Sequence, residues 1–329
     1  MAKKDPKVLS DTYRALAKAF PRTDEGMGTL LHAQLYFQYA PLYVYLQRSR
    51  MNEHIPESAQ RELTPPVGER YTVVEELVRT VTNRAAAQSM SMETNSYHAK
   101  VLRPSDAEQI VTLKEDLDLG TLPKSIVPYE ICRDAIINAP GQIAVVNCVC
   151  RRVTGKQACQ PLGVCLLIGE PWVSYAMARE EGGESNRRLI SQEEALQILK
   201  ECHERGNVHA AFFKDVAAGR LYAICNCCSC CCTALVAHNH LGATMMAGSG
   251  YVATIDQAKC AKCGICEKTC PFLAISKADD GSFLVNKEIC LGCEGCLGVC
   301  RPKALTFELV DASVLAPLDI KALKEKAKG

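Results

Sequence analysis

The chain has 329 residues, 38 basic and 37 acidic side chains and 20 cysteines. That length is enough for a hydrophobic core, so the cysteines are not the staples of a small secreted domain, and 48% apolar with 23% charged residues excludes a disordered chain. A net charge of +1 gives no electrostatic reason to expect nucleic acid as partner.

Residues 1–127 read as a mainly helical region whose role no motif reveals. Met1–Phe20 lacks the continuous apolar stretch and small-residue cleavage site of a targeting segment. The apolar and aromatic residues between Leu30 and Leu46 suit one helix face. His32, Gln34, Gln38 and Pro41 interrupt them before the roughly 18 apolar residues a membrane span requires. No span and a cytoplasmic, reducing location are therefore expected. Pro65-Pro66 breaks the chain, and Val74, Leu77, Val78 and Val81 then predict a helix over Thr72–Met90. Pro128 opens a second predicted helix through Asn138, ended by Pro140-Gly141, with Cys132 on its apolar side. No phosphate-binding glycine loop is present.

Beyond it, Ile143–Val146 and Val164–Ile168 are strand-like. Ser191 and Glu194 form a capping box that opens a helix, which ends at Gly206 and carries Cys202 on its apolar side. Val208–Phe213 and Arg220–Ile224 form a predicted hairpin. Helix plus hairpin also suits a winged-helix wing, but the local charge is not basic enough for DNA binding. Ala178–Arg188 reads as an exposed loop, and Asp319–Gly329 as a short solvated helix. Trp172 and Cys202 are expected to pack in the core.

The cysteines are unevenly placed. Residues 1–147 hold only Cys132, and the other nineteen fall within 148–300. The run Cys260-x2-Cys263-x2-Cys266-x3-Cys270 recurs 30 residues on as Cys290-x2-Cys293-x2-Cys296-x3-Cys300. Three thiolates at two-residue gaps can face one centre. The fourth begins the next segment and reaches the other centre. The assignment is therefore crossed: Cys260, Cys263, Cys266 and Cys300 around one [4Fe–4S] cluster, Cys290, Cys293, Cys296 and Cys270 around the other. Zinc is the competing reading, but zinc sites use pairs of C-x2-C with a longer spacer. Gly264, Gly292 and Gly295 lie between ligands, where no Cβ blocks the backbone's approach. Tyr251–Ile255, Leu273–Ser276, Phe283–Val285 and Ala304–Leu309 are the strand candidates. Residues 250–310 closely resemble the bacterial two-[4Fe–4S] ferredoxin. One departure is Arg301-Pro302, where the family's proline follows the last cysteine directly.

The middle holds ten further candidate metal ligands: Cys148, Cys150, Cys159 and Cys165, then Cys225, Cys227, Cys228, Cys230, Cys231 and Cys232. So many free thiols in a reducing compartment are costly unless metal-bound. One or two further iron–sulfur clusters are expected there. The spacing favours Cys225, Cys228 and Cys231 as one set, with Cys227, Cys230 and Cys232 pointing elsewhere. His238 and His240 are weaker candidates than the thiols, and Arg151-Arg152 suits either charge compensation or a solvated surface. Together, the motif order over 128–310 resembles multi-cysteine 4Fe–4S dicluster-domain proteins of anaerobic bacteria and archaea.

The expected fold is α+β in class: a mostly helical N-terminal region (1–127), a small mixed cysteine-rich middle (128–249), a ferredoxin-like module (250–310) and a tail (311–329). The resemblance implies electron transfer through several clusters. The protein would act alone or as an electron-transferring subunit of an anaerobic oxidoreductase, with redox proteins as partners. The alternative is an iron–sulfur reductase fed by its own ferredoxin module. No catalytic residue is identifiable.

Overall fold

The structure, a computed structural model, describes residues 35–80, 98–126, 134–137, 141–178, 187–213, 217, 220–243 and 245–326. Cys132 and residues 81–90 of the helix predicted over Thr72–Met90 lie outside these. So do residues 179–186 of the predicted loop.

The scaffold is a seven-stranded sheet in the order β6-β4-β5-β8-β7-β1-β9. Its strands are β1 (His98–Leu102), β4 (Ile143–Asn147), β5 (Gly163–Ile168), β6 (Arg188–Ile190), β7 (Val208–Phe213), β8 (Leu221–Cys227) and β9 (Met246–Ala247). Neighbours run antiparallel except β1 and β9. The predicted hairpin is β7–β8 at the sheet's centre. All six residues of β7 are buried, which rules out an exposed wing. Residues on both sides of position 127 contribute to this sheet, because β1 pairs with β7.

Period-2 alternation gives the two faces different covers. Ala211, Phe213, Ile224, Leu166 and Ile168 pack with Ala107 and Ile110 of α2 (Pro104–Val111) and with Ala195 and Leu199 of α5 (Gln192–Glu204). Ser191 caps α5 by accepting from the Glu194 amide, and Gly206 ends it with φ +76°. The C-terminal segment belongs to this layer and is not simply solvated. Leu318 and Ile320 are buried beside α2, and α8 (Ile320–Lys326) exposes Lys321, Ala322 and Glu325. Lys100 on β1, itself buried, donates to the Ala316 carbonyl at 2.7 Å.

The opposite face carries Val208, Ala210, Phe212 and Cys227. It is covered by α4 (Trp172–Ala178), α6 (Thr233–Leu241) and the C-terminal module. Trp172 is buried there, stacked on Phe37 at 5.3 Å. The N-terminal helical stretch is interrupted at Tyr39, because Pro41 occupies the first turn of α1 (Ala40–Asn52). α1 packs on α3 (Val149–Thr154).

Within the helix predicted over Pro128–Asn138, the described residues form a strand. Asp134–Ile137 (β3) pairs antiparallel with β2 (Leu117–Thr121). Ile136 and Ile137 are β-branched, and a strand partner outweighs the helical spacing of 131, 132, 135 and 136.

The C-terminal module adds two antiparallel ribbons. β10 (Tyr251–Ile255) pairs with β13 (Leu305–Leu309), and β11 (Ile275–Lys277) pairs with β12 (Phe283–Val285). Between them lies α7 (Ile265–Thr269). Ala253, Ile275, Phe283 and Leu305 form its small core around Cys296.

Candidate metal centres

The two cysteine runs of the C-terminal module surround two separate hollows. Cys260, Cys263, Cys266 and Cys300 line one, with Ile255, Phe283 and Leu305 as apolar wall. Cys270, Cys290, Cys293 and Cys296 line the other, with Phe272, Ile275 and Phe307. Backbone amides donate to thiol sulfurs: Ala253 to Cys290 at 3.4 Å, Ala274 to Cys270 at 3.3 Å and Ala304 to Cys300 at 3.3 Å. Hydrogen bonds of this kind to ligand sulfurs tune iron–sulfur clusters. Gly292, at φ +65°, sits so close to the Tyr251 carbonyl and the Ser249 hydroxyl that a Cβ has no room. Four thiols, apolar walls and amide donors at each hollow fit a [4Fe–4S] cluster. The two differ in access: Cys263 is exposed, whereas Cys293 and Cys296 are buried. Burial pushes the Cys293 thiol up to about 12.

The ten middle cysteines come together in two groups, and not as their spacing suggested. Six form a closed ring. Cys148 lies against Cys150 and Cys165, and Cys150 against Cys232. Cys232 touches Cys227, Cys227 touches Cys225, and Cys225 returns to Cys165. The remaining four, Cys159, Cys228, Cys230 and Cys231, have their sulfurs all within 4.8 Å of one another. The expected set Cys225, Cys228 and Cys231 is thus split. β8 runs to Cys227, so Cys225 and Cys227 share one sheet face two residues apart, while Cys228 is already in the following turn. Cys165 on β5 reaches the same place because Leu166 is the register partner of Ile224. Cys148 is the N-cap of α3, Cys150 lies in its first turn, and Cys232 is the N-cap of α6.

Hydrogen bonds from Cys148 and Cys232 hold the Cys150 thiol well below its ordinary value, and those from Cys148 and Cys225 do the same for Cys165. The same contacts push the Cys148, Cys225, Cys227 and Cys232 thiols well above theirs, so negative charge gathers at Cys150 and Cys165, and two buried arginines lie nearby. Arg151 is 1% exposed and donates to Asn207 Oδ1 at 3.2 Å and to the Asn226 carbonyl at 3.3 Å. Burial opposes its charge, but Cys228, Cys148 and Cys165 outweigh that and hold the guanidinium above its ordinary value. Arg48, also 1% exposed, is held below its ordinary value by burial, with Arg61 adding to this and Cys150, Cys232 and Cys231 opposing it. Among the described residues, Arg48 Nε and Nη1 and Arg151 Nε have no hydrogen-bond partner. Buried guanidinium groups of this kind require a nearby anion, and a thiolate-ligated centre is one. Of the basic pair, Arg151 is thus the compensating charge, while Arg152 is half-buried. Nothing in the sequence singled out Arg48.

The ring opens into a cavity of about 170 Å³ whose far wall includes Tyr36, Phe37, Trp172 and Tyr222. The Tyr36 and Tyr222 hydroxyls are 3.1 Å apart. Cys202 is fully buried on α5, outside both groups, where burial pushes its thiol up to about 11. His238 lies against the Phe272 ring at 5.7 Å, and neither it nor His240 lines the ring cavity or joins the group of four.

The buried hollow and the ring share one core. Phe272 and Cys293 pack with Cys227, Cys232, Ala234, Leu235 and Ala237. Asn239 Nδ2 donates to the Pro271 carbonyl at 2.8 Å, the Ser249 amide to the Leu291 carbonyl at 2.9 Å and the Ser249 hydroxyl to the Gly292 carbonyl at 2.8 Å. One helix, α6, therefore runs from a ring thiol at its N-cap to the peptide that follows Cys270. The seven helical steps from Cys232 to Asn239 span about 10 Å.

Residues 259–305 match the family model of the 4Fe-4S dicluster domain, in agreement with two hollows of four thiols each. Pyruvate synthase subunit PorD of Methanocaldococcus jannaschii is 36% identical over 52 residues, which is 16% of this chain and 60% of that relative. The chain thus spans 60% of the length of the curated relative it matches. No solved structure gives a significant match. Among the described residues no helix is long and apolar enough to cross a membrane.

Proposed function

We propose that this protein is an electron-transferring component of an oxidoreductase of anaerobic metabolism and moves electrons between the C-terminal module and a cluster seated in the six-thiol ring. The observation that carries this reading is the shared core of Phe272, Cys293, Cys227 and Cys232, which joins the buried hollow of the module to the ring. When bound, [4Fe–4S] clusters supply one-electron chemistry. Cys260, Cys263, Cys266 and Cys300 would hold one, and Cys270, Cys290, Cys293 and Cys296 the second. Cys148, Cys150, Cys165, Cys225, Cys227 and Cys232 would hold a further cluster.

The chain's own residues do the rest. The exposed Cys263 presents the first site to a redox partner. Phe272 and α6 fix the spacing between the second site and the ring. Arg48 and Arg151 balance the ring's negative charge. The PorD match supports a role beside a catalytic subunit, because that relative is named as a subunit of pyruvate synthase.

The test is stepwise reduction of the anaerobic holoprotein, followed by paramagnetic resonance. Coupled signals from the module and a third signal from the ring are expected. Cys263→Ala should remove about four iron atoms, abolish one module signal and leave the ring signal intact. A protein in which only the two module clusters take electrons would refute the relay. A second reading, reduction of a small molecule at the ring, draws on the aromatic-walled cavity beside it. A change in the ring's spectrum on adding a candidate oxidant separates it from pure transfer.

A further inference from the structure

The group of four thiols differs in kind from the other sites. Cys159 and Cys230 sulfurs are 3.1 Å apart and Cys230 and Cys231 sulfurs 3.7 Å, with all four within 4.8 Å. A single tetrahedral ion with metal–sulfur bonds of about 2.3 Å sets its ligand sulfurs about 3.8 Å apart. A cubane places four irons between its ligands and so holds them at the corners of a larger tetrahedron. The molecule supplies its own comparison. Among the described residues, no three of the dicluster-domain cysteines and no three of the ring cysteines draw together to 4.8 Å. The wide sites suit clusters, and the pinched one suits one ion.

The placement agrees. Cys228, Cys230 and Cys231 lie in the turn between β8 and α6, a turn closed by the Cys232 amide donating to the Cys228 carbonyl at 3.0 Å. Cys159 reaches them from the segment between α3 and β5, 71 residues earlier than Cys230. Arg151 touches Cys228 and offsets the negative charge of a divalent ion held by four thiolates.

We propose that Cys159, Cys228, Cys230 and Cys231 bind a single zinc or iron ion in tetrahedral thiolate coordination and not an iron–sulfur cluster. The ion clips the loop before β5 to the turn after β8 and so fixes the turn that delivers Cys232 to the ring. This assignment stands or falls separately from the electron relay, because it concerns none of the ligands proposed for that relay.

The experiment uses the full-length holoprotein, purified without oxygen, with zinc, iron and acid-labile sulfide counted per chain. X-ray absorption at both metal edges and Mössbauer spectroscopy accompany the counts. The wild-type protein is expected to show one zinc with sulfur neighbours only, or one iron whose Mössbauer signal is separate from the cluster iron. Cys159→Ser and Cys230→Ala should each lose that one ion and leave sulfide unchanged. Loss of about four iron atoms together with sulfide would mean a cubane and overturn the assignment. A wild-type protein with no sulfur-only mononuclear site would overturn it too, and that measurement holds even if both variants fail to fold.

Discussion

The dicluster domain and the cysteine-rich middle solve the same problem, gathering thiols in one place, by opposite routes. In the domain, each set takes three ligands from one short run and a fourth from the other. The surrounding ribbons are only three to five residues long. In the middle, the ring draws on a helix N-cap, two neighbouring strands and a second helix N-cap, all placed by a seven-stranded sheet. A centre built from local turns costs the fold little when it is lost. A centre that bridges separate elements is part of the fold, because binding free energy becomes folding free energy there.

The sharpest way to break this comparison is to remove one thiol on each side. Cys165→Ser is expected to empty the ring and lower the anaerobic unfolding midpoint by about 10 °C or more, whereas Cys263→Ala should lower it by only about 2–4 °C. Equal shifts in calorimetry would show that the two regions depend on metal alike.

A smaller effect sharpens the domain's side. In Gly292→Ala the new methyl meets the Tyr251 carbonyl and the Ser249 hydroxyl, so a loss of about 1–3 kcal/mol is expected, with a perturbed signal from the buried cluster. At Gly295 the nearest atom to an added Cβ is Cys293 Sγ at 3.6 Å, an ordinary contact, so Gly295→Ala should be milder.

Lys100 tests the sheet without touching any thiol group. Burial pulls its ammonium down from 10.5 to about 7, with Asp106 opposing. Unfolded Lys100 keeps its proton to about pH 10.5 and folded Lys100 to about 7. Between those values the unfolded chain binds the extra proton, so stability rises with pH across the window, and below pH 7 the full burial cost is carried. The rise should approach about 3 kcal/mol over three pH units, and Lys100→Met should abolish it. A wild-type unfolding curve flat from pH 7 to 10 would contradict this. The smallest effect belongs to Cys202→Ala: about 1 kcal/mol of stability and no change in iron. Any lost iron there would place Cys202 among the ligands.

The domain was legible in the sequence because its ligand spacing is its geometry: the crossed grouping read from two C-x2-C-x2-C-x3-C runs is the grouping around the two hollows. The middle was legible only as a supply of ligands. Its grouping depends on where β8 stops, and one residue of strand moves Cys227 to the sheet face and leaves Cys228 in the turn. The same limit hid β3, whose pairing with β2 decides against helix, and the docking of Leu318 and Ile320, which a lysine-rich tail does not announce. Arg48 was invisible because a buried cation is recognised only by the thiols around it.

The crossed pattern also orders events during synthesis. The buried centre can be completed once the ribosome has delivered Cys296, but the exposed centre waits for Cys300, although three of its ligands emerge 34 to 40 residues earlier. The ring, whose last thiol is Cys232, can close before either. The last thiol of each group therefore emerges in the order ring, buried hollow, exposed hollow, so the most accessible site is the last for which all four thiols are present.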